Sequence, residues 1–309
     1  MPERAGGRPQ AGRVRGLTSA TASVQSARRL AETQAAVLAP GAADWDCEGV
    51  QNPPRLPISL VVIAQDEEDR LADCLRSADF CAESLVLDGG SRDRTVELAR
   101  SLGARVEVRA FDGHVRQKSA ALEHATQDWV LSLDADERVS PALRAEILAL
   151  FSRGEPPCAG YSVPRLTWHL GRWIRGGGWY PDRKLRLFRR VGARCGGVDP
   201  HDRFFVEGRV GALRGDLLHF TYRDLAHHLQ KMDSYTTIAA ERLHAAGRGW
   251  ALTQMLLRPP HAFLRAWLFQ AGFRDGRVGF KLATLDARYQ WLRFSKLRRL
   301  RRASHSRPS

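Results

Sequence analysis

Trp129-Val-Leu-Ser-Leu-Asp-Ala-Asp-Glu137 is an apolar run that ends abruptly in carboxylates. A run without polar alternation reads as a strand covered on both faces, which is the environment of a parallel sheet. Asp134 and Asp136 then leave that sheet together. Upstream, Ile58-Ser-Leu-Val-Val-Ile-Ala64 has the same character. Residues 66–78 follow it with helical spacing, placing Leu71, Cys74, Leu75 and Ala78 on one face and acids near the start, as the helix dipole favours. A second strand spans 84–87. Asp88-Gly-Gly-Ser-Arg-Asp-Arg-Thr95 is a turn running into a helix through Arg100, with Ser91 or Asp93 as N-cap and Gly103 as its stop. Residues 104–109 supply a third strand and 114–126 a third helix. Alternation of this kind specifies an α/β fold with a doubly wound, mostly parallel sheet. In such sheets ligands bind beyond the carboxyl ends of the strands, where Asp66, Asp88 and Asp134 all fall.

After a helix beginning at Pro141 the pattern changes to shorter strands, with glycine and aromatic residues, through 161–220. A helix is expected over 224–246. The chain from there to Leu300 mixes Arg with Leu, Phe and Trp at helical spacing, interrupted by Pro259-Pro260 and by 272–279. The division expected is an N-terminal disordered arm over 1–54, an α/β domain over 55–222 and a basic helical region over 223–309.

The bulk composition limits the partners. A chain of 309 residues with 43% apolar content can bury a core. Its formal charge is +14 and its pI about 10.4, which points to an anionic partner. Residues 251–309 carry 13 Lys plus Arg against Asp275 and Asp286, and so supply +11 of that charge. Five scattered cysteines without a C-x-x-C pair indicate neither a disulfide framework nor a zinc site, and suit reducing cytoplasm. No run of roughly 18 uncharged apolar residues exists to span a membrane.

Two carboxylates at a strand end can receive a hard divalent cation, Mg²⁺ or Mn²⁺, together with ligand phosphates. Asp136 is the expected metal ligand and Asp134 a ribose or outer contact. D-x-D triplets also occur as surface charges or helix caps, and Asp88 with its glycines can be an ordinary helix-entry turn, so neither motif decides alone.

Taken in order, Ile58 to Ala64, Asp66-Glu-Glu68, Asp88 to Thr95, Gln117-Lys118 and Trp129 to Glu137 resemble the nucleotide-sugar motifs of inverting family 2 glycosyltransferases. Trp179-Tyr-Pro-Asp-Arg-Lys-Leu-Arg-Leu-Phe-Arg-Arg190, Gly215-Asp-Leu-Leu-His219 and Asp275-Gly-Arg-Val-Gly-Phe280 resemble the subgroup that adds glucose to the inner core of lipopolysaccharide. The resemblance covers roughly residues 56–300 and implies a GT-A fold, Rossmann-like, with a nucleoside diphosphate sugar as donor and inversion at the anomeric carbon. It implies that Glu67 and Asp88 contact the nucleoside, that Asp136 holds the metal, and that His219 is a further ligand or diphosphate contact.

The family's base is an acid following a histidine, here Asp202 after His201, with Asp199 and Glu207 as neighbouring rivals. Lys118, Arg183 and Arg186 are expected on phosphate oxygens, and Trp179 and Tyr180, behind Gly176-Gly-Gly178, beside a sugar. Asp66 and Ser119 stand where the family usually has asparagine, which bears on the exact donor.

The basic tail suits an anionic membrane surface, with apolar residues entering the acyl boundary. No nucleic-acid-binding motif accompanies the charge, which argues against a nucleic-acid partner. The function expected is transfer of a hexose, glucose from UDP-glucose, to a glycolipid or envelope saccharide such as lipopolysaccharide core, by a cytoplasmic enzyme peripheral to the inner membrane face. A different nucleotide sugar or acceptor, or a non-catalytic nucleotide-sugar-binding adaptor, are the alternatives.

Overall fold

The computed structural model describes residues 55–198, 201–247 and 251–305. The expected arm over 1–54 and the rival base Asp199 lie outside the described residues. Strands β1 (Leu56–Ala64), β2 (Cys81–Asp88), β3 (Arg105–Val108) and β4 (Trp129–Asp134) form the parallel half of one sheet, in the order β3-β2-β1-β4. Helices α1 (Leu71–Ser77), α2 (Thr95–Ser101) and α3 (His114–His124) connect them.

The absence of alternation in β1 has its reason in two apolar layers. Ile58, Leu60 and Val62 pack with Leu71, Leu75 and Ala99 of α1 and α2. Val61 points the other way, into Leu85, Leu87 and Ala121, the last on α3. Helices on both faces leave no side of the strand for water.

Beyond β4 the sheet becomes mixed. β5 (Glu137–Val139) and α4 (Pro141–Ser152) come first, α4 being capped by Ser140, which accepts from Leu143 N. β6 (Gly160–His169), β7 (Arg172–Ile174) and β8 (Asp182–Arg189) follow, then the two-stranded ribbon β9 (Arg194–Val198) and β10 (His201–Phe205), then β11 (Val210–Ala212) and β12 (Leu217–His219). β8 runs antiparallel to both β4 and β6, and β12 lies parallel to β6 and antiparallel to β5. A parallel half continued by a mixed half, with a long C-terminal helix, is the GT-A α/β architecture expected.

The chain ends in α5 (Leu225–Ala245), capped by Asp224, then α6 (Ala251–Leu264), a π-helical turn (Arg265–Phe269), a 3₁₀ turn (Gly272–Asp275) and α7 (Gly276–His305).

Three local expectations require correction. The helix expected over 66–78 begins only at Leu71, because Asp66 adopts a left-handed φ of 55° and residues 66–68 are held in a loop. Asp66 Oδ1 accepts from Arg92 N, while Glu67 N and Glu68 N donate to Thr95 Oγ1 and Asp93 Oδ2. Those acids therefore clasp the β2–α2 turn rather than stabilise a helix dipole. Asp, like Asn, tolerates the left-handed region and offers an acceptor oxygen, so Asp66 does here what an asparagine would do. Second, α2 starts at Thr95 after Arg94, which makes no side-chain cap; Asp93, one of the two expected caps, lies one residue earlier, and its Oδ1 accepts from Thr95 N at 2.9 Å. Third, Pro259-Pro260 lie inside α6 rather than ending it. Packing carries the helix past them: Phe263 meets Phe280 of α7 at 5.5 Å between ring centroids, and Ala262 is buried. The π-helical turn follows directly.

Candidate functional site

Register assembles the site. Ala64 pairs with Asp88 on one side, and Ile63 with Asp134 on the other, so the carboxyl ends of β1, β2 and β4 meet. Successive carboxylates then diverge from the Asp134–Asp136 corner.

Asp134 turns towards cations. Its Oδ1 lies 2.7 Å from Lys118 Nζ on α3, and its Oδ2 accepts from Arg186 Nη2 on β8 at 2.6 Å. Burial alone would raise this carboxyl, yet the Arg186 guanidinium and the Lys118 ammonium hold it well below the usual range. Lys118 also donates to Asp202 Oδ2 on β10 at 2.8 Å. Burial pulls the ammonium down, but Asp134 and Asp202 more than offset this and keep it above its ordinary range. These groups line a cleft of about 600 Å³ shared with Arg165, Asp182 and Arg183. Arg186 Nε is buried there without a hydrogen-bond partner.

Asp136 turns to the other side. Its Oδ2 lies 3.5 Å from His219 Nε2 and 3.8 Å from Arg70 Nη1. Burial is again opposed, by His219 first and Arg70 after it, and the Asp136 carboxyl sits below its ordinary value. His219 arrives there through β12, where it pairs with Glu137 of β5 and Thr167 of β6. Thr167 Oγ1 meets its Nδ1 at 3.2 Å, which directs Nε2 at Asp136. Glu67 shares a second cleft of about 620 Å³ with Asp136, Arg70 and Lys231. Burial, opposed first by Arg70 and supported by the repulsion of Asp136, leaves its carboxyl above the ordinary value.

One carboxylate and one imidazole fit a divalent cation that completes its shell with water and diphosphate oxygens, and Thr167 supplies the outer contact such a histidine requires. Among the described residues no three His, Cys, Asp or Glu side chains converge as a ready-made cage.

The remaining sequence candidates divide. Asp88 is 1% exposed and its carboxylate is engaged by its own turn, accepting from Gly90 N, Ser91 N and Ser91 Oγ. Trp179 lines a third cavity of about 950 Å³ with Gly177, Gly178, His219 and Asp286, bounded by α5, the π-helical turn and α7. Tyr180 is absent from that wall; its hydroxyl donates to Asp216 Oδ1 at 2.9 Å. Arg183 lines the cleft of Asp134, but its Nη1 donates to the carbonyls of Ser162 and Leu213.

Sequence reading missed Arg70, Glu137, Arg165 and Thr167 as partners. Glu137 is fully buried and accepts from both Arg165 and Arg186. Its signal was available in part: a charged residue within an apolar strand, such as Arg165 in β6, must find a buried counter-charge.

The Glycosyl transferase family 2 profile matches residues 59–206. Over 268 residues the chain is 32% identical to the lipopolysaccharide core biosynthesis glycosyltransferase LpsC of Rhizobium meliloti (strain 1021), covering 83% of this chain and 97% of LpsC. It is 29% identical to an uncharacterized glycosyltransferase of Rickettsia typhi, covering 79% of this chain and 87% of that one. Among solved structures, S. aureus TarS in complex with UDP-GlcNAc aligns at 12% identity with a TM-score of 0.42, over 80% of this chain and 92% of that one. Near full-length similarity to LpsC, and a profile match spanning Asp88, Asp134, Asp136 and Asp202, place this chain in glycosyltransferase family 2.

Proposed function

We propose that this chain is an inverting hexosyltransferase that moves glucose from UDP-glucose to a lipid-linked or envelope saccharide of the lipopolysaccharide-core kind, with Mg²⁺ or Mn²⁺. The observation that carries the reading is the split of one strand end into two functional faces: Asp136 opposite His219 at 3.5 Å, and Asp134 joined through Lys118 to Asp202. The similarity to LpsC supports the acceptor class.

Asp136 and His219 would hold the cation, which when bound would supply positive charge to offset that of the diphosphate leaving group. Glu67 contacts the nucleoside, and Asp88 shapes the glycine turn on which it rests. Arg186 and Lys118 fix Asp134 on the ribose side. The acceptor oxygen bonds to the anomeric carbon as the bond to the diphosphate breaks, and Asp202 takes the hydroxyl proton. Lys118 holds Asp202 Oδ2, which orients the carboxylate and leaves Oδ1 to receive that proton. Trp179 gives the acceptor sugar an apolar face. Residues 55–222 form the catalytic domain, and 223–309 a basic region at the inner membrane face that closes the acceptor side.

The test is a panel of nucleotide sugars with Mn²⁺ or Mg²⁺, followed by nucleotide release with and without membrane extract. Release from UDP-glucose alone supports the proposal, release from another donor revises the sugar, and no release from any donor sinks the enzyme reading. Asp136→Ala should abolish metal-dependent donor binding, whereas Asp202→Ala should spare binding and remove transfer. Equal loss of binding in both variants overturns the assignment of the base.

A further inference from the structure

The helical region leaves a ridge of large apolar side chains without cover. Leu256 and Leu257 of α6 are 64% and 65% exposed, and Leu268 and Phe269 of the π-helical turn are 55% and 79% exposed. Leu264 is 49% exposed and, with Leu257 and Leu268, recurs at i, i+7 and i+11 along the helical path, the spacing of one face; Phe273 is 50% exposed in the following turn. Isolated exposed apolar residues are ordinary, but a contiguous run of them on consecutive elements marks a contact surface.

The charge around the ridge narrows what that contact is. Between 251 and 285 the cations are Arg258, Arg265, Arg274, Arg277 and Lys281, all on the surface. The single acid of this stretch, Asp275, is 2% exposed and is consumed internally, accepting from Arg175 N and Gly176 N. The next acid, Asp286, is half-buried in the wall of the Trp179 cavity, so exposed cations outnumber exposed acids on these elements. Apolar groups on elements of that charge complement an anionic lipid surface, where the ridge enters the acyl boundary and the cations meet headgroups. A second copy of the chain would bring like charges together, and a nucleic-acid backbone would leave the apolar groups unsatisfied. No described helix is long and apolar enough to cross the membrane, so contact at the interface is the mode that fits.

We infer that the α6 and π-turn ridge docks on an anionic bilayer, and that the Trp179 cavity opens beside it to take the sugar head of an acceptor held in that bilayer. The second half of the inference rests on the function proposed above. The two features are joined rigidly. Gly177 N donates to Gln270 O at 2.8 Å and Gly176 N to Asp275 Oδ2 at 2.6 Å, which fixes the loop carrying Trp179 to the turn carrying Leu268 and Phe269. Arg265 and Gln270, flanking those two apolar residues, themselves line the cavity. A Cβ on Gly176 would overlap the Ala271 carbonyl, so the approach of the two segments requires glycine there.

The experiment is flotation of the full chain with phosphatidylglycerol-containing vesicles and with pure phosphatidylcholine vesicles, comparing wild type with Leu256→Glu/Leu257→Glu/Phe269→Glu. Wild type should float with the anionic vesicles, and the triple variant should bind them more weakly by on the order of 100-fold. Because these side chains are exposed, the variant should keep its melting temperature and its acceptor-independent nucleotide release. Equal flotation of both proteins, or no flotation of wild type, overturns the docking surface. A dimer that dissociates in the variant without lipid, seen by sedimentation equilibrium, assigns the ridge to a second copy instead. Absence of nucleotide release from both proteins removes the transferase reading and leaves the flotation result standing.

Discussion

Lys118 and Asp202 are 84 residues apart in sequence, yet the ammonium donates to the carboxylate at 2.8 Å. The same ammonium lies 2.7 Å from Asp134, so one buried cation joins α3, β4 and β10. Three elements that meet only in the folded chain are thereby locked at the site.

Removing that cation should be expensive. Lys118 is 3% exposed, and Lys118→Met leaves two carboxylates facing one another without it. A buried ion pair broken on one side costs about 3–5 kcal/mol. Urea unfolding at pH 7 checks this as a lower midpoint at an unchanged slope. A midpoint equal to wild type would mean that water or Arg186 replaces the ammonium.

The cation site proposed at Asp136 and His219 should depend on a residue that would not touch the cation. Thr167→Val keeps the shape of β6 but removes the oxygen that holds His219 Nδ1 at 3.2 Å. Loss of such outer contacts lowers metal affinity by about 10–100-fold. Calorimetric titration of Mn²⁺ with UDP measures it directly, and an unchanged affinity would detach Thr167 from the site.

Acid should destabilise the protein through a histidine pair. His169 Nε2 and His228 Nδ1 meet at 2.9 Å between β6 and α5, and burial brings both imidazoles from 6.5 down to about 4. The unfolded chain binds protons at these positions first, so their contribution is fully present above pH 6.5 and is lost as pH falls towards 4. His228→Asn, which keeps a polar atom near Nδ1, should flatten that part of the fall in melting temperature. The same slope in the variant would place the acid sensitivity elsewhere.

Much of this was legible in the sequence because it depends on local pattern. The unalternating runs of β1 and β4 identify strands covered on both faces, and the rule that ligands gather at carboxyl strand ends singles out Asp66, Asp88 and Asp134 from local pattern alone. The glycine signal placed the end of α2 at Gly103, and helical spacing placed α5 within 224–246. Local pattern also misled where packing outweighed it, as with the prolines inside α6 and the acids of 66–68, which clasp a neighbouring loop.

The sequence by itself determined the parallel half of the fold and the carboxylates at its edge, since strand and helix periodicity are properties of neighbouring residues. Only the tertiary structure decided what those carboxylates face. His219 reaches Asp136 through the register of β12 against β5 and β6, and Lys118 reaches Asp202 through the packing of α3 near the β9–β10 ribbon. Charge pairing acts through space and falls away over a few ångströms, so it is set by strand order and register, which no local spacing encodes.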